Sequence, residues 1–74
     1  MVDYKSRSGK LSGVIAYEIE ETSIAVLFKD GSGYLYTYSS AGSSAIETMK
    51  QHAIDNIGLS TYIAQNKPNY ESTF

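Results

Sequence analysis

The sequence contains no cysteine and no tryptophan, and it has a single histidine and a single proline among its 74 residues. Without cysteine there is no disulfide, no thiolate metal site and no cysteine nucleophile. One histidine makes a zinc site unusual, because carboxylates would have to supply most of its ligands. No apolar run approaches the roughly 20 residues that span a bilayer, and no apolar stretch comes after the charges at the N-terminus. We therefore expect no membrane span, no secretory signal and a cytoplasmic location.

Charge and size narrow the class of protein further. Six basic residues against eight acidic ones give a net charge of −2, which argues against bulk electrostatic binding to nucleic acid but leaves room for a local basic patch. Seventy-four residues make one domain at most. Because such a domain buries only about 60% of its unfolded surface, we expect either very good packing or help from a partner surface, including a second copy.

The first ten residues differ from the rest of the chain. They are polar, with serine and glycine interleaved among the basic residues Lys5, Arg7 and Lys10. This composition predicts a flexible N-terminal arm, or a loose first strand, over residues 1–10. No linker or internal repeat divides residues 11–74, so we expect them to form a single domain.

Two segments alternate between apolar and polar residues, as half-buried strands do. Segment 12–20 places Ile15, Tyr17 and Ile19 on one face, and segment 23–29 does the same with the residues Ile24, Val26 and Phe28. If Ile19 pairs with Ile24, then Tyr17 faces Val26 and Ile15 faces Phe28. This register predicts a hairpin with one continuous apolar face.

The sequence Asp30-Gly31-Ser32-Gly33 predicts a second hairpin, because glycine tolerates the positive φ of a tight turn. The third strand, over residues 34–38, carries tyrosine at every other position. A two-residue turn would pair Leu27 with Tyr34 and place the tyrosines opposite the apolar face. A three-residue loop with a bulge at Gly31 would pair Val26 with Tyr34 and direct them into the core. Both alternatives stay open at this point.

A polar connector over residues 39–43 is expected to lead into a helix over residues 44–57. Ser44 and Glu47 have the spacing of a capping box. An apolar stripe recurs at helical spacing and consists of Ile46, Met49, Ala53, Ile54 and Ile57. Gly58 is placed to end the helix, a short helical turn runs from Leu59 to Ile63, and Pro68 ends it. The predicted fold is α+β, a three-stranded antiparallel β-meander followed by one amphipathic helix and a short helical C-terminal segment.

The alternate tyrosines are the main candidate for a binding site. Aromatic rings on an open sheet face stack nucleic-acid bases, and nearby cations meet the phosphates. The candidate residues are Tyr34, Tyr36, Tyr38, Lys29, Lys5, Arg7, Lys10 and Lys67. Glu18, Glu20 and Glu21 oppose this interpretation by their charge. The alternative is structural, since tyrosine favours strands and fills space beside small residues.

Nothing in the sequence predicts an enzyme. His52 has only Asp55 as an obvious neighbour, and no nucleophile, orienting group or phosphate loop accompanies it. The acidic cluster Glu18, Glu20 and Glu21 resembles a solvated hairpin end more than a metal site. We expect no cofactor and no catalytic residue.

Several motifs occur in an order that is similar to a known family. They are Phe28-Lys29-Asp30-Gly31, Tyr34-Leu35-Tyr36 and Gly58-Leu59-Ser60. This order, over about residues 13–70, resembles the KTSC family, a C-terminal module of some lysyl-tRNA synthetases that also occurs as a small stand-alone bacterial or phage protein. Its hallmark Tyr-x-Tyr falls on Tyr34 and Tyr36. The family has no established function, but the synthetase association implies RNA binding.

The combined prediction is a small, non-enzymatic binding module for RNA or single-stranded nucleic acid. The alternative is a protein-interaction or self-association module with no nucleic-acid role.

Overall fold

The computed structural model describes residues 1–5 and 13–74. Over these residues the strands are β1 (Val2–Asp3), β2 (Val14–Glu20), β3 (Ser23–Phe28), β4 (Gly33–Thr37) and β5 (Ser72–Thr73). The helices are α1 (Tyr38–Ala41), α2 (Ser43–Asp55) and α3 (Leu59–Asn66). Every neighbouring pair of strands is antiparallel, in the order β1-β2-β3-β4-β5. The α+β class is confirmed, but the sheet has five strands instead of three, because a two-residue strand adds to each edge.

The β2–β3 hairpin has the predicted register along most of its length. Ile19 pairs with Ile24, and Tyr17 pairs with Val26. A β-bulge between Val14 and Ala16 then shifts the pairing, so that Val14, not Ile15, faces Phe28. The prediction for Ile15 is therefore wrong. The extra residue turns its side chain outward, where it is 44% exposed, and Val14 takes the buried position.

The N-terminal segment contributes an edge strand. β1 pairs with β2, with Val2 opposite Tyr17. The Tyr4 ring is buried and packs edge-on against Tyr17, with 6.3 Å between centroids. Its hydroxyl accepts a hydrogen bond from the Leu59 N–H at 3.2 Å, which ties β1 to the start of α3. Of the segment predicted as a flexible arm, only residues 1–5 are described; Arg7 and Lys10 lie outside the described residues.

Helix α2 covers one face of the sheet and packs against β3 and β4. Its inward residues Ile46, Met49 and Ala53 are completely buried. They meet the sheet residues Ile24 and Val26, which are buried to the same extent. This face is the one that the alternating apolar residues predicted, and it forms the hydrophobic core.

The rest of the predicted apolar stripe is not part of the core. Ile54 is 59% exposed and Ile57 is 44% exposed. α2 ends at Asp55, and Asn56 adopts a left-handed conformation with φ of 55°. Ile57 therefore lies beyond the helix, and Ile54 lies on the exposed side of α2. Both predictions of burial are wrong.

The start of the helical region also differs from expectation. Tyr38, predicted as the end of the third strand, and residues 39–41 of the predicted connector form α1, which Thr37 and Ser40 begin with a reciprocal capping box. α2 then starts at Ser43, immediately after Gly42, and has no side-chain cap. Ser44 already lies inside the first turn, so it cannot cap the helix with Glu47. The predicted capping box at Ser44 is wrong for this reason.

Candidate functional site

The loop after β3 decides which side of the sheet the tyrosines occupy. The Phe28 N–H donates to the Ser32 carbonyl at 2.8 Å, and the Gly31 N–H donates to the Phe28 carbonyl at 3.0 Å. Gly31 has a φ of 92°, which glycine adopts without strain. Three residues, 29–31, therefore form the loop. Of the two turns that the sequence allows, the structure adopts the three-residue loop with the bulge.

This loop places Tyr34 and Tyr36 on the helix-covered face. Val26 pairs with Tyr34, and Ile24 pairs with Tyr36. Tyr36 is only 3% exposed and belongs to the hydrophobic core, whereas Tyr34 is half-buried and packs against that core nearer the β3–β4 loop. Instead of standing on an open sheet surface, the two rings line the space between the sheet and the helices.

Tyr38 does not belong to the same group of rings. It begins α1, and its hydroxyl donates to the Glu47 carboxylate at 2.7 Å. Lys50 completes the arrangement: its Nζ is 3.1 Å from the same carboxylate and 2.7 Å from the Glu21 carbonyl. The hydrogen bond with Tyr38 is the main cause that lowers the pKa of Glu47, and the same bond raises the pKa of Tyr38. These contacts tie α2 to the β2–β3 turn.

Aromatic rings converge near the β3–β4 loop, with Tyr34 at their centre. The Phe28 ring meets it edge-on, with 5.6 Å between centroids and 82° between planes. The Tyr36 ring, two residues further along β4, has its centroid 6.3 Å from that of Tyr34. The Tyr70 ring, in the segment before β5, has its centroid 4.9 Å from that of Tyr34. Edge-to-face and tilted pairs at these distances favour a fixed orientation of each ring. The cluster therefore presents a preorganised aromatic wall.

A pocket of about 420 Å³ opens beside this wall. It is lined by Gly13, Phe28, Lys29, Asp30, Ser32, Tyr34, Tyr36 and Ile63. Strand β2 begins at its edge, the β3–β4 loop forms its polar rim, and α3 contributes Ile63. Apolar walls with a few polar groups at the rim are typical of pockets that bind small ligands. Such pockets have volumes of about 300 to 1,000 Å³.

Two polar groups that line the pocket, Asp30 and Tyr36, have shifted pKa values. Asp30 accepts hydrogen bonds from the Ser32 hydroxyl at 2.5 Å and from the Ser32 N–H at 2.9 Å. The bond from the Ser32 hydroxyl is the largest of the causes that lower the pKa of Asp30, so its carboxylate is charged near neutral pH. Burial raises the pKa of Tyr36 to about 12, so its hydroxyl stays protonated and can donate a hydrogen bond.

The structure brings together three of the eight predicted site residues. Tyr34, Tyr36 and Lys29 all line the pocket. Of the other candidates, Tyr38, Lys5 and Lys67 do not line it, and Arg7 and Lys10 lie outside the described residues. Sequence reasoning did not assign Asp30, Ser32 or Ile63 to a site, although the Asp-Gly turn signal did mark the loop that carries the first two.

His52 has a structural role. Its Nδ1 lies 3.0 Å from the Ile57 carbonyl, and its ring centroid lies 5.5 Å from that of Tyr62. These contacts hold the link between α2 and α3. Among residues 1–5 and 13–74, no group of three or more His, Asp or Glu side chains is arranged to hold a metal ion. None of the helices in that part of the chain has the length and apolarity needed to cross a membrane.

The comparisons with known proteins give no match: no family model fits the chain, and no curated protein or solved structure is significantly similar to it.

Proposed function

We propose that this chain is a non-enzymatic binding module that accepts one unpaired base of single-stranded RNA or DNA in the aromatic pocket. The observation that carries the proposal is the convergence of Phe28, Tyr34 and Tyr36 on a single pocket with Lys29 in its lining. Stacking of a base on an aromatic side chain contributes about 1–3 kcal/mol and tolerates any base, because every base has a flat face.

The charges near the pocket suit a single nucleotide better than a long strand. Lys29 is exposed and lines the pocket, so it can meet the phosphate of a base held there. The chain as a whole carries a charge of −2, which opposes an extended phosphate track. Each neutralised phosphate of a single strand contributes about −0.7 to the slope of log K against log salt. We therefore expect a shallow salt dependence and an affinity that depends mainly on stacking.

The aromatic contribution is tested by fluorescence anisotropy with labelled eight-residue oligo-U and oligo-dT at low salt. Tyr34→Leu is expected to weaken binding by about 5- to 150-fold, the equivalent of one stacking interaction of about 1–3 kcal/mol. Tyr62→Leu is the matched control, because Tyr62 is a half-buried tyrosine that does not line the pocket. Far-UV circular dichroism verifies that both variants are folded.

The electrostatic contribution is tested by repeating the titrations across a range of salt concentrations. Lys29→Gln is expected to flatten the salt slope by about 0.7. Lys67→Gln is the control, since Lys67 is also exposed but lies outside the pocket lining. Absence of binding at low salt, or equal losses in the Tyr34 and Tyr62 variants, would refute the proposal.

The KTSC resemblance and the cytoplasmic location stay predictions.

A further inference from the structure

Residues 69–74, which include the edge strand β5, bury none of their side chains. All of residues 69–74 are exposed, although β5 pairs with β4 through Thr73 opposite Tyr34 and Ser72 opposite Leu35. A segment with so little burial belongs to the least stable part of a fold and opens locally before the core does.

Main-chain bonds provide most of the attachment. Gly33 and Phe74 exchange hydrogen bonds in both directions, at 3.2 and 3.0 Å, and the Glu71 N–H donates to the Leu35 carbonyl at 2.7 Å. The Thr37 hydroxyl adds a bond to the Glu71 carboxylate at 2.9 Å. Main-chain bonds of this kind are made equally well by a strand from another chain, as in strand addition to an exposed sheet edge.

Two rings define the register in which the segment binds. Phe74 lies directly over Gly33, where a β-carbon would come within 2.6 Å of the ring. Tyr70 packs on Tyr34 at 4.9 Å. The edge of β4 therefore recognises an extended segment with aromatic residues four positions apart, and the chain itself supplies that segment.

The connection to α3 has the character of a hinge. Lys67 ends the helix with a φ of 46°, one of two non-glycine residues with positive φ among those described, and Pro68 comes directly after it. A left-handed conformation is unfavourable for a residue with a β-carbon, so an opened connection releases this cost. Proline also keeps the connection from continuing as helix.

We propose that residues 69–74 exchange between two copies of this chain, so that the segment of each copy pairs with β4 of the other. The exchanged dimer reproduces every contact of the closed monomer except at the hinge, which makes exchange a low-cost route to association. The occupant is a second copy because the segment that fits this edge is the chain's own.

The absence of cysteine allows a direct test with introduced thiols. One protein carries Leu35→Cys and the other carries Ser72→Cys, and the two are mixed at rising concentration under mild oxidation. Residues directly opposite in an antiparallel pair lie within the distance range of a disulfide. Leu27→Cys replaces Leu35→Cys in the control mixture, because Leu27 is also a half-buried leucine but lies on β3, which does not pair with β5.

The mixed disulfide is expected to form at least fivefold more in the Leu35/Ser72 mixture than in the control, and to increase with concentration. Lys67→Gly should lower the yield about threefold or more, since glycine adopts positive φ without cost and favours the closed monomer. A chain carrying both Leu35→Cys and Ser72→Cys verifies the register by closing the disulfide internally. If that internal bond forms while the mixed yield equals the control, the exchange proposal is wrong.

Discussion

Replacing Gly58 with alanine should lower the free energy of unfolding by about 1.5–3.5 kcal/mol, the sum of a backbone cost and a side-chain cost. Gly58 joins α2 to α3 with a φ of 82°, and a left-handed conformation costs an L-residue about 1–2 kcal/mol. A β-carbon there would also lie 3.0 Å from the His52 Nδ1. The ring would have to move, and its contact with the Ile57 carbonyl, worth about 0.5–1.5 kcal/mol, would weaken.

Gly31→Ala separates the two costs. Gly31 has a similar φ of 92°, but nothing lies within 4 Å of the β-carbon position. Its substitution should therefore cost only the backbone share of about 1–2 kcal/mol. Urea denaturation with linear extrapolation measures both variants. In a His52→Ala background, Gly58→Ala should cost no more than Gly31→Ala. An unchanged cost of Gly58→Ala in that background would refute the proposed contact with His52.

Three further perturbations test the core, a buried tyrosine and the α2 anchor. Ile46→Ala should cost about 2–5 kcal/mol in the same urea assay, whereas Ile54→Ala should cost under about 1 kcal/mol because that side chain is largely exposed. Burial raises the pKa of Tyr36 from 10.0 to about 12, so the unfolded chain loses this proton first and stability falls between those pH values. In the Tyr36→Phe variant, the free energy of unfolding should fall by about 2–3 kcal/mol less than in the unmodified protein as the pH rises from about 9 to 12. Thermal unfolding across this pH range measures the difference. Lys50→Met should lower the free energy of unfolding, measured in urea, by about 1–2 kcal/mol, because the hydrogen bond from Lys50 to the Glu21 carbonyl is lost.

The centre of the β2–β3 hairpin was predictable because only one register buries Tyr17 and Ile19 together with their partners. The bulge at Ile15 was not, since Val14 and Ile15 are both apolar and either can occupy the buried position. Which side chains of α2 are buried was also predictable only in part, because several apolar residues compete for the buried positions. The apolar periodicity continues to Ile57, but the sheet covers a narrower face and the helix ends at Asp55.

The alternative of a loose first strand over residues 1–10 was the only indication of β1, and nothing in the sequence predicted β5. Each has two residues, and all four are exposed, so neither shows the alternation that marks a half-buried strand. They are held by main-chain bonds to the edges of a sheet that the other strands already define. Edge strands of this kind depend on tertiary structure, and this is why Tyr70 could not be predicted to join the aromatic cluster.

The length of one loop determines what kind of binding site the tyrosines can form. With a two-residue turn, Tyr34 and Tyr36 would lie beside Leu27 on the uncovered face, as a platform for several consecutive bases. The three-residue loop instead directs them toward α2 and α3, where Tyr36 is buried and only Tyr34 stays partly accessible. Under the proposed function, the half-buried rings of Phe28 and Tyr34 at one pocket would hold one base, not a row of them. The proposed function therefore predicts a site size of one or two nucleotides, as a consequence of the bulge at Gly31.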